Sequence, residues 1–492
     1  MDDGKMRVCF VNLLEDINKS REHPRHTIAP LDIGYSAALL EKKGHATYFI
    51  DSLKDCKDFE DLVNKTNALN PDIIIIKPYL GTHKTTCKLA DRIKTASRAE
   101  KGSRKRVVFL IGPAAYLYPN VYLFPGSGVD LIVNEEPELT IMELVDKTQR
   151  DRTTAQINPG RNMRGIIYYD ALKKRIIQTR VNETIRYPDS LPFPKHDFFL
   201  AKHYEFFYPL NINKKLRLGY ILTSRGCPYK CLFCSPIERA SVGRLYRHRT
   251  AKNVVDELEL LQGKGVNAVY FSDDLLFVSE NQIKGLCAGM IKRNIRIKWA
   301  AQARIDLLNK EIICLMKKAG CSTLCLGVES GSPRILKKIN KNTTISQIQR
   351  VFQWLNRAGI LTVAFVVLGT PGEREEDIEA TFKLIKSIKP DFLQIHFFTP
   401  YAGSPYSLSL GFAKGLAKNT DMAGLGASKF KLSDNLCSVP YEKLFILHKR
   451  LYKEFYLSPR FFFNYGVKRL PHLLLNIRAQ KKLIITALRF FL

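Results

Sequence analysis

The sequence predicts an α/β protein in three parts: an N-terminal Rossmann-like doubly wound domain, a partial (β/α)6 TIM-type barrel, and a helical C-terminal region. Three observations lead there. Short β-rich runs alternate with helical patterns over residues 1–150, the signature of a parallel sheet with helices on its faces. The alternation resumes with a longer period in residues 215–410, with six repeats rather than the eight of a closed barrel. Residues 411–492 lose the strands, and Leu444, Leu447, Leu451 and Phe455 recur there at helical spacing.

In the first part the patterns predict strands at Arg7–Leu13, Ala46–Ile50, Asp72–Ile76, Val107–Ile111 and Asp130–Val133, with helices over Asp32–Lys43, Thr85–Thr95 and Glu138–Thr148. A ligand crevice is expected beyond the carboxyl ends of such strands. Residues 151–214 change character: Gln149–Asn162 is polar and basic, Gly165–Arg180 reads as a β-hairpin, and Tyr187–Pro194 carries three prolines. This stretch is expected to be a linker wrapping between domains. In the barrel, strands are expected at Tyr220–Thr223, Ala268–Ser272, Lys298–Ala303, Thr323–Gly327, Thr362–Leu368 and Phe392–Phe397, each delivering side chains to a common mouth at its carboxyl end.

The chain has 492 residues, and its 77 Lys and Arg outweigh its 47 Asp and Glu to give a net charge of +30. A field of that sign attracts phosphates, nucleic acid or an anionic membrane face but says nothing of fold. From Tyr441 to Leu492 there are eleven basic and two acidic residues, so at least nine of the positive charges belong to the tail. From Phe461 to Leu492, apolar clusters interleave with Lys468, Arg469, Arg478, Lys481, Lys482 and Arg489, the pattern of an interfacial helix on anionic lipid and equally of a helix that covers the open side of the barrel with a solvated basic face. Apolar runs are too short for a membrane span, and Asp2 and Asp3 precede the first strand where a signal peptide would be basic. Eleven cysteines, scattered except for one tight cluster, fit a reducing compartment, and the expectation is a cytoplasmic location, peripheral to a membrane where the basic tail is interfacial.

The sharpest chemical feature is Cys227-Pro-Tyr-Lys-Cys231-Leu-Phe-Cys234. Three thiolates at this spacing can hold three irons of a 4Fe-4S cubane and leave the fourth without a protein ligand, open to a small chelating molecule. The competing reading, a structural zinc site, needs four ligands and commonly uses pairs of C-x-x-C. The segment resembles the signature of the radical S-adenosylmethionine superfamily, with Phe233 as the aromatic before the last cysteine, and the resemblance continues along the barrel. Phe271-Ser-Asp273-Asp274 resembles the family's acidic motif for the methionine ammonium. Gly327-Val-Glu329-Ser330-Gly331 resembles its G-x-E-S-G motif near the ribose and carboxylate, and Gly369-Thr-Pro371-Gly372-Glu373 its turn beside the adenine. Arg304 and Gln302 are aimed at the same mouth, as cofactor or substrate contacts or as barrel-internal pairs. The resemblance implies catalytic and metal-binding roles for Cys227, Cys231 and Cys234, reductive cleavage of S-adenosylmethionine to a 5′-deoxyadenosyl radical, and an electron donor such as flavodoxin or ferredoxin.

The first domain resembles the cobalamin-binding domain that precedes the barrel in many such enzymes. The resemblance rests on Pro30-Leu31-Asp-Ile-Gly34, on Leu110-Ile-Gly112-Pro113-Ala114, on Val133-Asn-Glu135-Glu136-Pro-Glu138, and on Leu191-Pro192-Phe193-Pro194 in the linker. It implies cobalamin contacts at Leu31, Gly34, Gly112 and Glu135. The D-x-H-x-x-G motif that ligates cobalt in classical cobalamin proteins is absent, so a bound corrin would lack that lower ligand. The implied activity is methylation or another radical change at an unactivated carbon of a small-molecule, lipid or peptide substrate. A second branch of the superfamily, the tRNA methylthiotransferases, holds an auxiliary cluster on N-terminal cysteines. Cys9, Cys56 and Cys87 and the basic charge keep that alternative open, although the asparagine-threonine-cysteine signature is missing. A non-catalytic nucleic-acid or membrane-binding relict is the third reading.

Overall fold

The computed structural model describes residues 5–14, 28–79, 81–99, 106–134, 136–150, 163–182, 184–202, 204, 216–234, 245–400, 404–409, 436–461 and 463. The first sheet has seven strands: β1 Arg7–Leu13, β2 Ala46–Asp51, β3 Ile73–Pro78, β4 Val107–Leu110, β5 Leu131–Val133, β6 Ile166–Asp170 and β7 Arg175–Gln178. Their spatial order is β2-β1-β3-β4-β5-β6-β7, with the first five parallel and the last two antiparallel. Val8 and Phe10 of β1 pack on one face with Ile33, Ala37 and Leu40 of helix Leu31–Lys42. Cys9, Val11 and Leu13 pack on the other with Leu62 and Val63 of helix Phe59–Ala68. Burial on both faces is what a doubly wound sheet demands of a continuously apolar strand. The hairpin expected within the linker is here an extension of this sheet, because Ile132 and Val133 of β5 pair antiparallel with Ile167 and Ile166.

The second sheet holds β8 Leu218–Ile221, β11 Ala268–Phe271, β12 Lys298–Ala303, β13 Cys321–Glu329, β14 Leu361–Leu368 and β15 Phe392–Phe397, side by side in chain order and all parallel. Between β8 and β11 lies a two-residue antiparallel ladder, β9 Ser224–Arg225 with β10 Arg247–His248. The period of two along each strand sorts its side chains between the faces. Phe271, Trp299, Leu324, Leu326, Val366 and Ile395 pack outward against the helices. Tyr220, Tyr270, Ala300, Cys325, Val363 and Phe392 point inward and close the barrel floor together with Leu31, Tyr35, Leu191, Phe199 and Tyr204. The linker and the first helix of domain one thus plug the barrel from below.

Helix Tyr441–Tyr456 lies against β15, the last strand. The Ile395 amide donates to the Tyr452 hydroxyl at 2.9 Å, and the Tyr456 hydroxyl donates to the Leu393 carbonyl at 2.7 Å. These contacts satisfy backbone groups on a strand edge that would otherwise template further pairing. The two readings of the tail concern residues 461–492, which carry much of the tail's basic charge and, apart from Phe461 and Phe463, lie outside the described residues. No helix among the described residues is long and apolar enough to cross a membrane.

Candidate functional site

The inward positions at the carboxyl ends of the six strands enclose a cavity of about 310 Å³ lined by Cys227, Cys231 and Cys234, Tyr229 and Phe233, Asp274, Gln302, Arg304, Glu329, Lys341 and His396. Phe365, Phe397 and Phe398 complete an aromatic wall. Cys227 and Cys231 are buried. Among the described residues no three such side chains converge on one ion. All three cysteines line the one cavity, and a cubane asks for separate thiolates because each goes to a different iron.

The loop that carries the cysteines is held from behind. Asp273 does not line the cavity. Its buried carboxylate accepts from the backbone amides of Thr223 and Ser224 and from both their hydroxyls at 2.5–2.9 Å, fixing the turn that leads into Cys227. Burial pushes the Asp273 carboxyl up to about 7 while the four donors pull it down. The next residue, Asp274, has the opposite facing and reaches the cavity.

Glu329 enters the mouth through a backbone irregularity. The pairing of β13 with β14 skips a residue between Gly327 and Glu329, and Glu329 has a φ of 62°, a left-handed conformation that costs of order 1–3 kcal/mol outside glycine. Such bulges re-aim side chains beside functional sites. The re-aimed carboxylate meets the ammonium of buried Lys341 at 2.7 Å. A side chain at Gly327 would collide with both Glu329 and Lys341, which is why that position needs glycine. Ser330 faces away: its hydroxyl lies 3.3 Å from that of Thr381 and accepts from the Ser332 amide. Gly369 and Pro371 are likewise outside the cavity lining. A Cβ at Gly369 would stand 2.8 Å from Leu444 of the C-terminal helix, and Pro371 is buried in a turn closed by Glu373, whose carboxylate accepts from the amides of Gly369 and Thr370.

His396 and Lys341 were not anticipated as site residues. His396 follows Phe392 and Gln394 at a spacing of two, so strand alternation places it inward. Burial holds its imidazole below the ordinary histidine range, against the opposing pull of Glu329. Lys341 follows a short helix, Pro333–Lys338, and carries no periodic signal.

In domain one the anticipated residues are mostly packed. Leu31 belongs to the barrel floor. At Gly34 a Cβ would lie 2.8 Å from Phe199 and 2.9 Å from Pro194, so this glycine admits the linker. Gly112, two residues after β4, has a φ of 87° and faces the Lys77 side chain, and the side-chain Nδ2 of buried Asn134 has no partner among the described residues. Glu135 lies outside the described residues. Its neighbours make an interdomain clamp: Arg225, two residues before Cys227, donates to Glu138 at 2.6 Å and to Glu136 at 3.3 Å, and Arg247 donates to Glu136 at 3.0 Å. Cys9, Cys56 and Cys87 do not form a ligand set among the described residues. Burial pushes their thiols up, to about 12, 12 and 11.

Residues 221–385 match the model of the radical SAM superfamily. An uncharacterized methyltransferase of Pyrococcus horikoshii is 27% identical, over 88% of each chain. The anaerobic magnesium-protoporphyrin IX monomethyl ester cyclase of Cereibacter sphaeroides is 28% identical over 76% of this chain and 59% of its own. Among solved structures, the radical S-adenosylmethionine methyltransferase TsrM from Kitasatospora setae, with cobalamin and a 4Fe-4S cluster bound, superposes with a TM-score of 0.63 at 18% identity, covering 82% of this chain and 74% of that one. Residues 221–385, with the cysteine loop at the mouth of a six-stranded partial barrel, thus form a radical SAM superfamily domain, and the fold of the whole, with a doubly wound domain ahead of that barrel, is like that of the K. setae methyltransferase.

Proposed function

We propose that this enzyme holds a 4Fe-4S cluster on Cys227, Cys231 and Cys234 and S-adenosylmethionine beside it. We further propose that it carries out cobalamin-dependent methylation, or another radical transformation, at an unactivated carbon of a small-molecule substrate. One observation carries the reading: the three cysteines share a single cavity with Asp274, Arg304 and Glu329. The cluster, once reduced by a donor such as flavodoxin or ferredoxin, supplies the electron that cleaves the sulfonium.

Asp274 accepts from the methionine ammonium in this scheme. Glu329, fixed by Lys341, faces the nucleoside side, and Gln302 offers an amide from β12. His396, kept neutral by burial, can exchange a hydrogen bond with substrate without bringing a charge. Phe365, Phe397 and Phe398 exclude water from the mouth, which protects a reactive intermediate from side reactions. In domain one, Gly112 and the unpartnered Asn134 amide are the strand-end groups that fit a polar corrin edge, whereas Leu31 and Gly34 serve the packing of the linker. The names of the P. horikoshii and K. setae proteins support methyl transfer.

Anaerobic reconstitution with iron, sulfide and hydroxocobalamin is expected to give an iron–sulfur chromophore, a bound corrin, and 5′-deoxyadenosine or S-adenosylhomocysteine once a reductant is added. Cys227→Ala, Cys231→Ala and Cys234→Ala should each abolish the chromophore and the turnover. A well-folded wild-type protein with neither chromophore nor cleavage refutes the proposal, and a cluster without corrin leaves the barrel chemistry and removes the cobalamin.

A further inference from the structure

Arg304 leaves β12 at the cavity mouth as a cation with almost all of its hydrogen-bonding capacity engaged inside the protein. Its Nε donates to Asp306 Oδ1 at 2.9 Å, and its Nη2 donates to Asp306 Oδ2 and to the Lys341 carbonyl, both at 2.8 Å. Its Nη1 donates to Cys231 Sγ at 3.6 Å. The guanidinium lies 3.6 Å from the ring centroid of Tyr229, which stands between Cys227 and Cys231 in the loop. A guanidinium has five N–H donors. Four are taken, so at most one remains for a ligand that enters the cavity, and a bidentate grip on a ligand carboxylate would require breaking the bonds to Asp306.

We propose that Arg304 is a positioning residue that acts through Cys231, raising the reduction potential of the cluster by donating to its thiolate sulfur, and that it is not a carboxylate clamp for S-adenosylmethionine. This rests on the proposed cluster at Cys227, Cys231 and Cys234. Reduction adds one electron to the cluster from an external one-electron donor and moves no proton, so negative charge rises on the thiolates. Hydrogen bonds to cluster sulfurs and nearby positive charge favour that state and are established determinants of cluster potential. Asp306 orients the guanidinium and partly offsets its charge, while the Tyr229 ring holds it flat.

The arrangement gives variants of opposite sign. The midpoint potential of the reconstituted cluster, read by electron paramagnetic resonance during an anaerobic redox titration without S-adenosylmethionine, should fall in Arg304→Met. It should fall less in Arg304→Lys, which keeps the charge and loses the fork, and it should rise in Asp306→Asn, which removes an anion. Unchanged potentials with weakened S-adenosylmethionine binding in Arg304→Met would overturn the proposal in favour of a cofactor clamp. Shifts of the same sign in Arg304→Met and Asp306→Asn would overturn it in favour of a merely structural role. If Arg304→Met does not load a cluster, the signs in Arg304→Lys and Asp306→Asn decide. Failure of the wild-type protein to load a cluster defeats the functional reading itself, and this proposal with it, and differs from every other outcome.

Discussion

The mouth of the barrel and the carboxyl edge of the N-terminal sheet are built on the same principle, parallel strands delivering side chains to one end, yet they use their motif residues differently. At the barrel mouth, motif residues divide between those that reach the cavity, Asp274, Arg304 and Glu329, and those that brace it, Asp273, Ser330, Gly369 and Pro371. At the sheet edge the braces dominate: Leu31 and Gly34 receive the linker, and Glu136 and Glu138 grip Arg225 beside the cysteine loop. The difference teaches that a motif marks a place where backbone must be held, and only the strand's alternation says which of two adjacent residues faces the ligand.

The neighbours Asp273 and Asp274 give this its sharpest test. Asp274→Asn is expected to lower kcat/KM for S-adenosylmethionine by roughly 10–100-fold, the loss of one hydrogen bond between charged groups, with an unchanged melting temperature. Asp273→Asn should do the reverse. Its four donors lose a carboxylate and face an amide, so stability falls by about 1–3 kcal/mol, while the folded fraction keeps its affinity for the cofactor. Binding assays beside thermal melts separate the two, and a larger affinity loss in Asp273→Asn would erase the division between lining and brace.

The fold was readable because each strand is a short apolar run bounded by turn residues and each helix has a buried stripe, as with Ile348, Val351, Phe352 and Leu355 of helix Ile345–Ala358. The hairpin at residues 166–178 was visible as a hairpin, but its attachment to β5 was not, since pairing partners across the chain leave no local mark. The cysteine loop was legible from spacing alone. The choice between Asp273 and Asp274, and the inward facing of His396, were recoverable from the alternation that Ala268 and Tyr270, or Phe392 and Gln394, begin. Lys341 and the bulge that turns Glu329 were not, because a loop lysine and a skipped pairing arise only when the strands are assembled.

The interdomain clamp tests the other half of the comparison. Glu138→Ala removes a buried carboxylate that accepts from Arg225 at 2.6 Å and leaves a buried guanidinium with Glu136 alone. Breaking such a pair typically costs about 3–5 kcal/mol. Urea unfolding should register that loss, and a double-mutant cycle with Arg225→Ala should show coupling of about 1 kcal/mol or more. Because Arg225 stands two residues before Cys227, the iron content of Glu138→Ala should also fall after reconstitution. A change within about 0.5 kcal/mol, the range of ordinary surface substitutions, would mean that domain one does not brace the loop.

A brace within the barrel gives the smallest and most pH-specific effect. Burial pushes the Glu373 carboxyl up to about 8, against the pull of the Gly369 and Thr370 amides. The folded protein therefore keeps this proton through a range in which the unfolded chain, near the ordinary glutamate value of 4.5, has released it. More protons bound in the folded state means that stability falls as pH rises. The contribution is fully present below about 4.5 and lost by about 8, with a slope of at most about 1.4 kcal/mol per pH unit. Asp273, raised to about 7, adds a parallel fall over its own range. Glu373→Gln keeps an oxygen for the two amides and cannot ionise, so the difference in urea midpoint between it and the wild type should grow from pH 5 to pH 8 in favour of the variant. A constant difference across that range would show that Glu373 is ionised throughout in the folded protein, and that the turn at Gly369 is held by a charge after all.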